Sequence, residues 1–111
     1  MDKLANYRQE IERVLTEYTT IPYKYGNITC ELIVDKDENR FILITLGWEK
    51  DTRVHGCLAH IDIMDNKIWI QRDGTEEGIA TDLEAAGISK SDIVLAFHPQ
   101  KLRKYTEYAV N

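Results

Sequence analysis

The sequence predicts an α+β domain in which an N-terminal helix and two C-terminal helices pack on one face of an antiparallel meander sheet of four to five strands. A helical apolar pattern opens the chain, four strand-like segments with short turns follow it, and helical patterns return in the last third. Helices that are segregated from a run of strands are typical of the α+β class. The chain has 111 residues, the length of one domain, which we place at residues 1–111.

The first helix is predicted over residues 2–18. Asp2 stands where an N-cap is expected, and Pro22 disfavours a helical conformation for the residue before it, so the helix should end before residue 21. Steps of three and four residues place six apolar side chains on one face of this helix. They are Leu4, Tyr7, Ile11, Val14, Leu15 and Tyr18.

Four strands are predicted over residues 28–34, 41–48, 54–64 and 67–71. Polar turns separate them, and the two-residue turn at Asp65 and Asn66 is of the hairpin type. Strands joined by such short turns pair antiparallel, which predicts the meander. We expect Trp48 and Trp69 to be cross-strand neighbours in the core.

After the strands, the sequence predicts a turn over residues 73–77, with two acidic residues near the start of a helix that Gly87 ends. Ser89 and Asp92 have the spacing of a capping box around one short turn. The apolar run 93–97 is either a fifth strand or a buried helical segment, because periodicity does not distinguish the two.

A last helix is expected to begin at Pro99. Its inner face would carry Leu102, Tyr105 and Ala109, which follow a helical spacing.

The composition narrows the classes of function. The net charge is −5 and the isoelectric point is about 5.1, so the overall field argues against DNA as a primary ligand. No segment has the ~20 apolar residues of a membrane span, and the N-terminus lacks the apolar run of a signal peptide. Cys30 and Cys57 form no C-x-x-C pair. We therefore expect a cytoplasmic protein with reduced thiols and no membrane contact.

The histidines and the cysteines do not predict a metal site or a nucleophile. His55 and His60 are five residues apart on one predicted strand, which should place them on opposite faces unless a bulge intervenes. A metal would need His98 beside one of them and a further ligand. Cys57 shares a face with His55 but lies too far from it for a preformed pair, so we expect a small core residue.

Acidic groups offer one enzymatic hypothesis. Asp62, Asp73, Glu76 and His60 could act as a hydrolase or nuclease site only if they converge in one cleft. No glycine-rich phosphate loop and no calcium-loop pattern is present in the sequence. The sequence thus predicts a binding protein without catalytic, cofactor-binding or metal-binding residues, without a cofactor and without an evident small-molecule substrate.

Basic and aromatic residues alternate near the C-terminus, and we take them as candidate partner contacts. This pattern is a solvated helix face or a rim that contacts an acidic partner surface; direct DNA binding by the same helix is the alternative. The residues are Lys101, Arg103, Lys104, Tyr105 and Tyr108.

One ordered set of motifs covers nearly the whole chain. It consists of YRQ at 7–9, LGW at 46–48, VHGC at 54–57, HIDI at 60–63, NKIWIQ at 66–71, DGTE at 73–76, DIVLAFH at 92–98 and RKYTE at 103–107. In this order the motifs closely resemble the XisI family of cyanobacterial proteins, known as fdxN element excision controlling factors. His55 departs from the family pattern, where an aromatic is common, and Ser89 stands where proline is frequent.

The resemblance implies an α+β fold, a role in excision of a DNA element during heterocyst differentiation, and no known active site. It also implies an accessory factor that acts with a XisH-like protein of nuclease type, while a separate recombinase cuts and rejoins the DNA. We therefore expect a non-enzymatic protein that meets DNA only indirectly. A basic partner would be attracted to its acidic surface. A homodimer through an exposed sheet edge, or through the region 23–25, is a further hypothesis.

Overall fold

The computed structural model describes residues 2–20 and 27–111. Within them, helix α1 comes first, strands β1 to β4 follow, and helix α2, a short 3-10 turn at Lys90–Asp92, strand β5 and the one-turn helix α3 complete the chain. The bounds are Lys3–Thr19 for α1, Asn27–Val34 for β1, Arg40–Glu49 for β2, Thr52–Met64 for β3, Lys67–Asp73 for β4, Ile79–Ala85 for α2, Ile93–Leu95 for β5 and Gln100–Arg103 for α3. The expectations about Pro22 and the region 23–25 lie outside the described residues.

The five strands form one sheet in the order β1-β2-β3-β4-β5. Strands β1 to β4 pair antiparallel, as the short turns predict, but β5 pairs parallel to β4, with Ile93 opposite Ile68. The expectation of a purely antiparallel sheet is therefore wrong, and the sheet is mixed. The reason is that α2 carries the chain back along the sheet, and such a helical crossover joins parallel neighbours. The run 93–97 thus begins as a short fifth strand.

Helix α1 follows the sequence pattern closely. The Asp2 carboxylate accepts a hydrogen bond from the Leu4 N–H at 3.0 Å, so Asp2 is the N-cap. The side chains buried along its inner face are Tyr7, Ile11, Val14 and Leu15. Burial of this apolar stripe against the sheet provides most of the stability of such a helix.

The core lies between the two longer helices and one face of the sheet, which we call the helix face. Along β3, Ala59, Ile61 and Ile63 are buried on the helix face, whereas His60 and Asp62 alternate onto the opposite, open face. The largest fully buried side chains are Phe41, Ile11, Leu15, Leu43, Ile61, Ile68, Ile70, Ile79, Leu83, Ile93 and Val94.

Helix α2 begins later than the acidic residues before it suggest. Glu76 and Glu77 precede the N-cap Gly78, so neither lies in the first turn. Instead the Asp73 carboxylate accepts a hydrogen bond from the Ile79 N–H at 2.7 Å. Gly87 ends the helix as predicted, with a φ of 97° that favours glycine and an N–H that donates to the Glu84 carbonyl at 2.9 Å.

The capping box predicted after α2 forms only on one side. The Ser89 hydroxyl accepts a hydrogen bond from the Ser91 N–H at 3.3 Å. The Asp92 carboxylate does not reach back to Ser89 in the described structure but pairs with the Lys3 ammonium at 3.5 Å, which ties the turn to α1.

The expected last helix, with an inner face from Leu102 to Ala109, is wrong beyond its first turn, because α3 begins after Pro99 but ends at Arg103. Leu102 and Tyr105, which should have formed its inner face, are 45% and 76% exposed. Thr106 explains the early end. Its hydroxyl donates to the Arg103 carbonyl at 2.7 Å and accepts from the Tyr108 N–H at 3.2 Å. Such local bonds replace those that would continue a helix.

The expectations for the tryptophans and for Cys57 are also wrong. Trp48 is half exposed near the end of β2, opposite Arg53, whereas Trp69 lies on β4 opposite Asp62, with β3 between the two strands. Cys57 is exposed, and Cys30 is the buried thiol. Burial raises the pKa of the Cys30 thiol. In the described part of the chain, no helix is long and apolar enough to cross a membrane.

Candidate partner-binding surface

The C-terminal segment, residues 96–111, runs along the β5 edge of the sheet. The Ala96 N–H donates to the Ile70 carbonyl at 2.9 Å, so the segment starts against β4. Near its end the Ala109 N–H donates to the Ile93 carbonyl, also at 2.9 Å. Both ends of the segment are thereby hydrogen-bonded to the sheet.

Arg103 holds this segment together from inside. Its guanidinium donates to the carbonyls of His98 at 3.0 Å, Ala96 at 3.2 Å and Val110 at 3.2 Å. It also lies over the Trp69 ring on the open face, 5.7 Å from the centroid. Arginine suits this role because its planar fork of donors can satisfy several acceptors at once. Although the sequence pattern groups Arg103 with partner contacts, its bonds are intramolecular.

Tyr108 and its neighbours fix the other side of the segment to α2. The Tyr108 hydroxyl donates to the Glu84 carboxylate, and this bond is the main cause that raises the tyrosine pKa. Lys90 lies 3.6 Å from the same Glu84 carboxylate and also pairs with Glu107. The pairing with Glu107 raises the pKa of Lys90 and lowers that of Glu107. Tyr108 is therefore half-buried and makes an intramolecular contact with α2, so it is not a surface anchor for a partner.

A group of exposed residues remains on this supported segment, and we call it the C-terminal surface. Among residues 2–20 and 27–111, Tyr105 is the most exposed large apolar residue, and the Lys104 ammonium lies 5.3 Å from the centroid of its ring. Phe97 and Leu102 are each nearly half exposed. The C-terminal surface consists of Phe97, Lys101, Leu102, Lys104 and Tyr105. Aromatic anchors with a charged rim are typical of interaction sites.

A second polar site lies on the open face around Asp62, which is only 5% exposed. One carboxylate oxygen accepts from the Arg40 Nε and approaches the His60 Nε2, both at 3.0 Å. The other accepts from the Gln71 amide at 3.3 Å. With all of these partners, the carboxylate is satisfied despite its burial. The sequence analysis grouped Asp62 with His60 in the enzymatic hypothesis, but it did not identify Arg40 and Gln71 as partners of the carboxylate.

The histidines share a face, contrary to the expectation for His55 and His60. Leu58 is an extra residue in the β2–β3 pairing, so Ala59 lies opposite Leu43 while Cys57 lies opposite Ile44. His60 pairs with position 42 and His55 with position 46, and both therefore project from the open face. Four residues of strand separate them by roughly 13 Å, too far to share a metal. No metal-ligand cluster occurs among residues 2–20 and 27–111.

The groups of the enzymatic hypothesis do not converge. His60 and Asp62 contact each other on the open face. Asp73 pairs with the buried Ala59 and caps α2, so it belongs to the helix face. Because the sheet separates these carboxylates, they do not form one acid–base cleft.

These features define a class of protein: a small α+β module with a mixed five-stranded sheet, two longer helices on one side and an exposed aromatic surface on its C-terminal segment. The family model for XisI protein matches residues 1–110. The chain belongs to the XisI family.

Solved structures from Anabaena variabilis agree with this assignment. A XisI-like protein is 31% identical, with a TM-score of 0.87, over 97% of this chain and 99% of that one. A protein described as fdxN element excision controlling factor XisI is also 31% identical, with a TM-score of 0.81, over 99% of this chain and 100% of that one. No curated protein sequence matches the chain.

Proposed function

We propose that this protein is a non-catalytic controlling factor for excision of a DNA element, and that it acts by binding a nuclease-type partner of the XisH kind. Membership in the XisI family supports the controlling role, as does the likeness to a solved fdxN element excision controlling factor. The XisH-like partner and the link to heterocyst differentiation belong to the proposal.

The C-terminal surface is the observation that carries the binding role. Tyr105 is 76% exposed, and it stands on a segment that Arg103 and Tyr108 hold to the rest of the fold. An anchor that is already ordered loses less conformational entropy on binding than a flexible one. The large exposed aromatic group is therefore suited to fill a pocket of a partner.

Charge distribution supports a macromolecular partner. The chain carries a net charge of −5, which favours encounter with a basic protein. Lys101 and Lys104 form a local positive rim beside Tyr105, which favours an acidic patch around the pocket that receives it. The overall field would thus set the association rate, whereas the rim would set orientation.

Co-purification with a XisH-like protein, followed by calorimetry, tests this proposal. We expect a complex at micromolar concentration, and Tyr105→Ala should weaken it by at least tenfold, which is about 1.4 kcal/mol. Trp48→Ala is the matched control, because it removes an exposed aromatic from β2, outside the C-terminal surface. Equal losses for both variants, or no complex at all, would contradict the proposal.

Direct DNA binding is the competing outcome, and a salt series separates it. Arg103 already donates to three carbonyls, which leaves Lys101 and Lys104 as the exposed cations of the C-terminal run. Two phosphate contacts would give a shallow salt dependence, with a slope of about −2 in log–log form. Tight binding to element-end DNA by the chain alone, abolished by Lys101→Glu with Lys104→Glu, would favour DNA over the protein partner.

A further inference from the structure

The two edge strands of the sheet, β1 and β5, differ in whether other backbone groups bond to their outer side. Strand β5 has three residues, and the C-terminal segment bonds to it through the Ala109 N–H. Strand β1 has eight residues, and within residues 2–20 and 27–111 no backbone hydrogen bond reaches its outer side. Edges of this kind are templates for pairing with another strand.

The hydrogen-bond pattern identifies the backbone groups at this edge. The Asp35 N–H donates to the Arg40 carbonyl at 3.1 Å, so the backbone N–H and C=O groups of Asp35 point toward β2. The β1–β2 register continues without a shift, and in an antiparallel ladder alternate residues point their N–H and C=O groups to the same side. Odd-numbered residues of β1 therefore bond to β2. The outward set is Ile28, Cys30, Leu32 and Val34.

The composition of β1 favours pairing over protection. Protected edges carry lysine, proline, a bulge or a short strand. β1 is NITCELIV, with Glu31 as its single charge, and its pairing with β2 has no bulge. Cys30 is buried on the helix face, and Leu32 and Val34 are packed partly buried against the core. An added strand would extend the core across this edge.

We propose that β1 pairs antiparallel with β1 of a second copy of this chain, around a two-fold axis perpendicular to the sheet, to make a continuous ten-stranded sheet. A second copy offers an edge of the same length with the same outward groups, so every bond is made twice. The strand carries one charge in a chain of net −5, so pairing here brings few negative charges together.

Charge and symmetry select the register. Opposite residues of an antiparallel pair project from the same face, so the two numbers in each pair are both odd or both even. The two-fold axis therefore passes midway between one residue and the same residue of the other copy, and we call this residue the one on the axis. With Glu31 on the axis, two carboxylates would face each other directly, which is destabilising. With Cys30 on the axis, Glu31 faces Thr29 of the other copy and Ile28 faces Leu32, and the seven residues 27–33 are paired. The register is therefore centred on Cys30.

Sedimentation of the full chain measures the assembly. We expect a mass of about twice the 12.9 kDa of one chain at tens of micromolar. Ile28→Pro removes an outward N–H while it leaves the β1–β2 bonds intact, and proline is tolerated at such edge positions. It should raise the dimer dissociation constant by about 10- to 100-fold, since symmetry removes two hydrogen bonds. Ile28→Val keeps the donor and should remain dimeric.

Cross-linking tests the register and does not depend on tolerance of proline. In a Cys30→Ala, Cys57→Ser background, chains with Thr29→Cys are mixed with chains with Glu31→Cys and oxidised. Cys30 is removed because it faces its own copy in this register and can itself form a disulfide between any two chains. Opposite non-hydrogen-bonded positions have Cα atoms about 4.5 Å apart, which permits a disulfide, whereas like positions are about 8 Å apart in this register. We expect cross-links only between the two unlike chains.

Two results overturn the inference. A monomeric wild-type chain without cross-links excludes the dimer, and cross-links mainly between two Glu31→Cys chains exclude the register. An unlike cross-link together with failure to bind any XisH-like protein would leave the dimer standing and reject only the proposed function.

Discussion

The guanidinium carbon of Arg103 lies 5.7 Å from the centroid of the Trp69 ring, so a residue of the C-terminal segment covers an aromatic on the open face of β4. The same guanidinium donates to three carbonyls of that segment. One side chain thus both fixes the path of the segment and joins it to the sheet. The exposure of Tyr105 two residues later depends on this arrangement.

Replacement of Arg103 tests this tie. Arg103→Ala should lower the free energy of unfolding by about 2 kcal/mol, because several carbonyls lose a charged donor and Trp69 loses its cation. Arg103→Lys should recover only part of the loss, since one ammonium cannot reach three carbonyls. Urea unfolding gives the stability, and hydrogen exchange at the Ala109 N–H reports release of the segment. Lys104→Ala is the control, and its free energy of unfolding should change by no more than about 0.5 kcal/mol. Equal losses for Arg103→Ala and Lys104→Ala would show that Arg103 does not fix the C-terminal segment to the sheet.

Asp62 provides a second prediction, on the open face. Asp62→Ala should cost about 2 kcal/mol, because the donors of Arg40, His60 and Gln71 lose a shared acceptor. Asp62→Asn keeps one acceptor oxygen and should cost less. Asp65→Asn, in the β3–β4 turn, is the control: it removes an acidic charge in the same region, and asparagine tolerates the positive φ of this position. Chemical denaturation compares the variants. A loss of no more than about 0.5 kcal/mol in the free energy of unfolding for Asp62→Ala would contradict the role of the carboxylate.

Two glycines offer a matched pair for a backbone test. Gly47 has a φ of 148°, and a Cβ there would lie 2.0 Å from the Asn27 carbonyl oxygen. Gly56 on β3 has open space around the same position. Gly47→Ala should therefore destabilise the fold by more than about 2 kcal/mol and loosen the start of β1. Gly56→Ala should be neutral or slightly stabilising. Thermal unfolding measures the stability of both variants. Similar melting temperatures would show that the fold does not require the close approach of the Asn27 carbonyl to Gly47.

The sequence patterns predicted well where local rules act alone. The stripe from Tyr7 to Leu15 determined the buried face of α1. Asp65 and Asn66 adopt φ values of 51° and 61°, which is the two-residue hairpin turn expected at that point. In both cases neighbouring residues contain all the information that the structure uses.

Features set by a bulge, by competing side-chain hydrogen bonds or by distant partners were not predictable in the same way. No residue type marks Leu58 as a bulge, although it decides that His55 and His60 share a face. The spacing of Leu102 and Tyr105 is helical, yet bonds made by Thr106 end the helix before Tyr105. The exposed C-terminal surface follows from that end and from the remote partners of Arg103.

Tyr18 gives a prediction at alkaline pH. Its hydroxyl donates to the Asp82 carboxylate at 2.8 Å and so joins α1 to α2. Burial, together with this bond, raises the pKa of Tyr18 from 10.0 to about 12. The folded state thus holds the phenolic proton more tightly than the unfolded state. The stabilisation is complete below about pH 10, and it is lost as the pH rises toward 12.

Tyr18→Phe removes both the hydrogen bond and the titration. At neutral pH we expect a loss of about 1 kcal/mol in the free energy of unfolding. The difference between wild type and variant should stay constant up to about pH 10 and shrink between pH 10 and 12. Urea unfolding at a series of pH values measures it, with Tyr105→Phe as the control that keeps the wild-type profile. A difference that is independent of pH up to 12 would mean that burial and the Asp82 carboxylate do not raise the pKa of Tyr18 in the folded state.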